Sequence, residues 1–251
     1  MKMPHLLKIF FSIIVILFLC ASSVFAHFTW IHPLLTSVKI GETVSVRIST
    51  GHAFPESEQA SSMENLTSFA MSPSGEKISL QFNSDDNFLH SSYTVGEEGL
   101  HTLYFESDRG IISRTTRGWQ PGGKDQHPQA TSSMNFYTSA LAHIYAGDNT
   151  PNGSVPIDLK FELTFKIENN QIVLIAYRDS QPLEGTEISV VKMGSRNAEP
   201  IGITNASGQL SYSRDELSEE ALFVALYNRD APDGSNYDTD YLRSTLYLNM
   251  K

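Results

Sequence analysis

Short runs in which apolar and polar residues alternate, each cut off by turn-formers, recur along most of this chain and restrict it to β-architecture. Thr43-Val44-Ser45-Val46-Arg47-Ile48-Ser49 has the period of two expected of a strand with one buried face. Lys77 to Phe82, Phe88 to Val95 and Leu100 to Glu106 are further runs, separated by Gly, Ser, Asn and Asp. Strands at this spacing predict a sandwich or barrel rather than a parallel sheet covered by helices. Further on, Leu159 to Ile167 and Ile172 to Tyr177 flank Glu168-Asn169-Asn170-Gln171 as a hairpin. Glu187 to Val191, Ile201 to Thr204, Gln209 to Tyr212, Leu222 to Tyr227 and Tyr241 to Leu248 complete about seven strands, enough for a small immunoglobulin-like sandwich.

Three stretches break the pattern. Residues 114–131 are rich in Gly, Pro, Gln and charge and read as a loop. Ser132 to Tyr145 reads as the one helix, because Met134, Leu141 and Tyr145 form a stripe at helical spacing. Gly147 to Pro156 consists mostly of turn-formers and reads as a linker. The predicted fold is mostly β, with two β-sandwich-like domains. They are an N-terminal β-rich domain over residues 27–150 and a C-terminal immunoglobulin-like sandwich over 157–251, with one short helix near 132–145.

The first 26 residues read as a signal peptide. Lys2 and Lys8 open it, Ile9 to Leu19 is apolar apart from Ser12, and Val24-Phe25-Ala26 supplies small residues at the cleavage site. An uncleaved anchor is the alternative, while lipidation at Cys20 is disfavoured by the bulky Leu19 before it. Cleavage after Ala26 predicts a periplasmic or secreted protein that begins at His27. It also removes Cys20, the one cysteine of the chain. A disulfide framework, thiolate metal ligands and thiol catalysis are thereby excluded from the mature protein. Losing Lys2 and Lys8 takes the formal charge from −10 to −12, the wrong sign for a phosphate-backbone binder, so no nucleic-acid partner is expected.

Chemistry then falls to histidines and carboxylates. As a mature N-terminus, His27 offers an α-amine and a ring nitrogen to the same ion, donors that suit Ni, Co, Cu or Zn better than Mg or Ca. His52 lies in the loop Gly51-His52-Ala53-Phe54-Pro55, directly after a clean strand, where a rigid scaffold presents binding residues. His101 shares strand parity with Leu103 and Phe105 and points to their face, either as a buried structural histidine or as a ligand. His32 lies on the strand face opposite to His27 and stands in reserve. His27, His52 and His101, with His32 behind them, are the predicted metal residues. His90, His127 and His143 show no ligand spacing to one another. No H-E-x-x-H, G-x-S-x-G or P-loop occurs, and no enzyme is expected. Asp215, Glu216, Glu219 and Glu220 read as a solvated face. The acidic run from Asp230 to Asp240 lacks the spacing and terminal Glu of a calcium loop.

Several segments together resemble one family. Ala26-His27-Phe28-Thr29-Trp30-Ile31-His32-Pro33, Gly41-Glu42-Thr43-Val44-Ser45-Val46 and Gly51-His52-Ala53-Phe54-Pro55 look like the opening of the DUF4198 family. Gly118-Trp119-Gln120 and Tyr137 to Gly147 resemble its middle. The segment Asp179 to Ile188 and Thr204 to Leu210 resemble its C-terminal sandwich, although "P-L-x-G" followed by "T-x-x-x-G" is common among bacterial immunoglobulin-like domains. Where the family carries a basic pair after the Gly-aromatic segment, this chain has Gly122-Gly123-Lys124. The resemblance is to exported bacterial proteins related to the NikM-like periplasmic component of nickel/cobalt uptake. It implies a nickel- or cobalt-binding protein that serves a membrane uptake transporter, with His27 and His52 as ligands. Two rivals use the same features: a structural or adhesive β-sandwich with incidental histidines, and a copper histidine-brace oxygenase acting on polysaccharide.

Overall fold

A computed structural model describes residues 27–147, 152–217 and 220–249, so the expected signal segment lies outside it. In the first part of the chain the strands are β1 (Phe28–Pro33), β2 (Ser37–Val38), β3 (Thr43–Gly51), β4 (Leu66–Met71), β5 (Lys77–Ser79) and β6 (Asn83–Ser84). There follow β7 (Phe88–Thr94), β8 (Gly99–Thr115), β9 (Gly118–Pro121), β10 (Ser132–Ala146), β11 (Phe161–Glu168) and β12 (Gln171–Arg178). The last are β13 (Gln181–Pro182), β14 (Glu187–Lys192), β15 (Glu199–Ile203), β16 (Gln209–Ser213), β17 (Glu220–Asp230) and β18 (Thr239–Asn249). Among the described residues a single 3-10 turn, Arg214–Glu216, interrupts them. Among the described residues no helix is long and apolar enough to cross a membrane.

The strands form three sheets. One has the order β1-β3-β7-β6. The largest runs β15-β14-β17-β18-β10-β8-β4-β5, with β2 added on β10 and β9 on β8. The third is β11-β12-β13, with β16 on the other side of β12. Two apolar cores separate them. Trp30, Val46, Ile48 and Leu89 of the first sheet pack with Leu103, Ala142, Leu222 and Tyr247 of the large sheet. On its opposite face, Tyr137, Leu141, Phe223 and Leu242 pack with Phe161, Leu163, Ile172 and Leu174 of the third. The molecule is a three-layer β-sandwich whose middle layer serves both cores.

Two expectations meet this architecture. Residues 132–145 form no helix. They belong to β10, a central strand paired antiparallel with β8 and parallel with β18. Tyr137 to Ile144 is buried on both faces, with Ala140, Ala142 and Ile144 feeding one core and Tyr137 and Leu141 the other. A strand covered on both sides shows no polar alternation, so the spacing of Met134, Leu141 and Tyr145 mimicked a helix. The boundary expected at Gly147 to Pro156 is crossed by the large sheet: Met134 to Leu141 of β10 lie against Thr239 to Leu246 of β18. The Ser139 hydroxyl donates to Phe161 O at 2.6 Å and lies 2.9 Å from Ser244 Oγ, so polar bonds cross that boundary too.

Candidate metal centre

The site is built at the end of the β1–β3 pair. The last paired residues are Phe28 and Gly51, and continuing the register one step sets His27 opposite His52. Their ring centroids lie 4.1 Å apart. After His52 the chain turns back over its own strand: Glu58 N donates to Thr50 O at 2.9 Å, and Thr50 bridges to Gln59. Ser57 Oγ accepts from Thr50 N at 3.1 Å and donates to Asn87 O at 2.5 Å, holding the returning segment to β3 and its surroundings. Gly51 makes the close return possible, because a Cβ there would meet Glu56 O at 3.0 Å and Glu58 Cγ at 3.2 Å.

The loop is anchored from below and from the far half of the sequence. Phe54 is buried, with Trp30 and Tyr247 at centroid distances of 5.8 and 6.1 Å. Gly194 N donates to Phe54 O at 2.7 Å. The β1 end is tied to β18, since Arg243 Nη1 donates to His27 O at 3.2 Å and Thr245 Oγ1 to Thr29 O at 2.8 Å. The His27 backbone and the His52 loop are therefore both tied to segments remote in sequence.

The outcome is a third candidate ligand that the sequence reading did not select. Glu58 Oε2 lies 2.8 Å from His52 Nδ1 and 3.6 Å from His27 Nε2. One donor atom from each of His27, His52 and Glu58 falls within 4.8 Å of the others. Bonds of about 2 Å to a first-row ion put neighbouring donors roughly 3 Å apart, so small side-chain movements would close this set on an ion. Glu58 is held below the usual carboxylate range, first by the hydrogen bond from the His52 ring and then by the nearby His52 and Arg196 charges. It is thus a ready anionic donor, and an entering cation would displace the His52 proton that bridges them. The signal for Glu58 was weak: two carboxylates, Glu56 and Glu58, follow His52 in a Pro-bounded loop.

The other two predicted residues lie elsewhere. His101, on β8 in the middle layer, is fully buried. Its Nε2 donates to Glu97 O at 2.9 Å and its Nδ1 accepts from Tyr93 OH at 2.8 Å, leaving neither nitrogen for an ion. His32 faces the opposite side of β1 from His27, with its ring 5.8 Å from Tyr247 and its cross-strand partner Arg47 beside it. Burial, and secondarily the Arg47 charge, push its pKa down to about 4. Neither His101, predicted as a ligand, nor His32, its reserve, is brought to the cluster of His27, His52 and Glu58.

A β-sandwich presenting two histidines and a glutamate at a strand end is the class that fold and site define. The chain belongs to the DUF4198 family: the model of this domain of unknown function matches residues 24–216. Among curated proteins none matches. Of solved structures, a DUF4785 family protein from Legionella pneumophila is similar at 12% identity and a TM-score of 0.27, over 78% of this chain and 50% of that one. The α-2-macroglobulin of Escherichia coli is similar at 10% identity and a TM-score of 0.28, over 89% of this chain and 20% of that one. The chain thus spans half or less of the length of these two proteins.

Proposed function

We propose that this is an extracytoplasmic binding protein for a first-row divalent ion, nickel or cobalt, which it passes to a membrane uptake transporter. The observation that carries the reading is the convergence of His27, His52 and Glu58 donors within 4.8 Å, from a strand start, a strand end and a returning loop. Two imidazoles and a carboxylate suit these ions, and a partly exposed position at the sheet edge suits capture and release better than permanent retention. Processing after Ala26 would add the His27 amine. That amine can chelate only together with Nδ1, the ring nitrogen nearer the backbone, whereas Nε2 now faces Glu58. Recruiting the amine therefore requires the His27 ring to turn over.

The test uses protein exported and processed by its own signal, with metal content by mass spectrometry and affinities by calorimetry for nickel, cobalt, zinc and copper. One ion per chain is expected, with His52→Ala and Glu58→Gln each weakening it at least tenfold. Affinity untouched by both substitutions would refute the site. A residue added ahead of His27 weakens binding only if the amine is a ligand. Reductant-dependent oxygen consumption by the copper-loaded protein would replace transport with the histidine-brace reading, which needs the same His27 and His52.

A further inference from the structure

The strand face that carries His27 and His52 continues into a cavity. Thr29 lies two residues after His27 and Thr50 two before His52, so all four side chains project to one side of the β1–β3 pair. The Thr29 and Thr50 hydroxyls are 3.2 Å apart, and Thr50 Oγ1 is 2.5 Å from Ser61 Oγ. These hydroxyls line a cavity of about 340 Å³, whose wall also includes Gln59, the residue after Glu58. Each candidate ligand residue thus has a residue one or two positions along the chain in the wall. The volume lies at the small end of the range of about 300–1,000 Å³ usual for small-molecule sites.

The lining is also cationic. Arg109 and Arg243 both belong to it, against one carboxylate, Glu64. Among the described residues neither arginine forms an ion pair with a carboxylate. Arg243 donates one N–H to His27 O, and Arg109 lies over the Phe136 ring at 5.9 Å. A guanidinium has five donors, so both retain donors for a planar oxyanion. In a chain of formal charge −10, a hydroxyl-lined cavity with surplus positive charge is set against the average field.

We infer that this cavity binds a small polycarboxylate that shares the ion: one carboxylate completes the coordination left open by His27, His52 and Glu58, and another is held by Arg109 and Arg243. The inference rests on the metal reading above and adds that the cargo is a metal chelate rather than a bare ion. Three side-chain donors leave positions open on a nickel or cobalt ion, and the cavity lies on the side where the ligand rings project.

Equilibrium dialysis with ¹⁴C-citrate as the probe tests it, on the mature protein with and without nickel. Citrate is expected to be retained by the nickel-loaded protein and at least tenfold less by the metal-free form. Arg109→Gln should lower retention at least fivefold while leaving affinity for nickel alone within twofold. Arg243→Lys, which keeps the charge but not the planar fork, should lower it as well. Nickel that binds while no citrate is retained, or citrate that strips nickel from the protein, would overturn this inference and leave the metal site standing. Equal retention with and without nickel would overturn it too. Failure of nickel itself to bind would remove the reading beneath it.

Discussion

Gly51 illustrates how one side chain sets the candidate site. A Cβ at this position comes within 3.0–3.2 Å of Glu56 O and of Glu58, so Gly51→Ala must shift the returning loop, and Glu58 with it, by a few tenths of an ångström. We expect about tenfold weaker metal binding by calorimetry with a nearly unchanged melting temperature; unchanged affinity would show that the close packing at Gly51 does not set the site. His101 supplies the converse. With both nitrogens committed to Tyr93 and Glu97, His101→Gln should leave metal affinity within twofold and cost about 1–3 kcal/mol of stability in urea titrations. His143 gives a pH dependence. Burial against Phe165 lowers its pKa from 6.5 to about 4, as happens at His32. Because charging is harder in the folded state, this contribution is complete above pH 6.5 and is lost as pH falls toward 4. Glu162 acts oppositely. Burial raises its pKa from 4.5 to about 7, so its contribution is complete below 4.5 and lost as pH rises through 7. Two groups against one make acidification destabilising. From pH 7 to 5, His143→Leu should retain about 2 kcal/mol that the parent loses; an identical loss in both proteins would count against a neutral buried His143.

At the scale of elements, β10 and β3 show when periodicity reports a strand. β3 alternates exposed and buried residues from Thr43 to Val46, then is buried on both faces from Ser49 to Gly51, where the 52–61 loop covers it. β10 is buried on both faces over most of its length, so it has the apolar run of a core strand and no alternation to mark it. Exchange of backbone amides should separate it from the surface strands. Amides from Tyr137 to Ile144 should exchange only through global opening, while those of the exposed β5 exchange orders of magnitude faster. Rapid exchange throughout 137–144 would contradict a central strand there.

At the scale of the whole molecule, the middle sheet joins sequence-distant halves. The β10–β18 pairing brings residues about a hundred positions apart into one ladder, reinforced by Asn135 Nδ2 donating to Asp240 Oδ1 at 2.8 Å and Ser133 N to Asp238 Oδ2 at 2.8 Å. Tyr104, Tyr137 and Leu141 also cover the core of the C-terminal strands. A fragment of residues 157–251 would lose that cover and expose an unpaired β18 edge. We expect it to lack a cooperative unfolding transition, whereas the mature chain shows one. A cooperatively folding fragment would establish the two-domain division drawn at residues 147–156.

What the amino-acid sequence determined by itself was local. A period of two marks half-buried strands such as β3, parity sets His32 opposite His27, and loop chemistry places His52 just beyond a strand end. These follow from the geometry of a single extended segment. The rest depended on contacts between segments. Glu58 reaches the histidines because the 52–61 loop folds back across Gly51, and no spacing in the chain encodes that direction. His101 is lost as a ligand because Tyr93 and Glu97 happen to meet its two nitrogens. β10 became a strand because sheets cover it on both sides, a burial that erases the very alternation by which a strand is read. Register and layer packing are long-range properties, and they alone decided which donors converge.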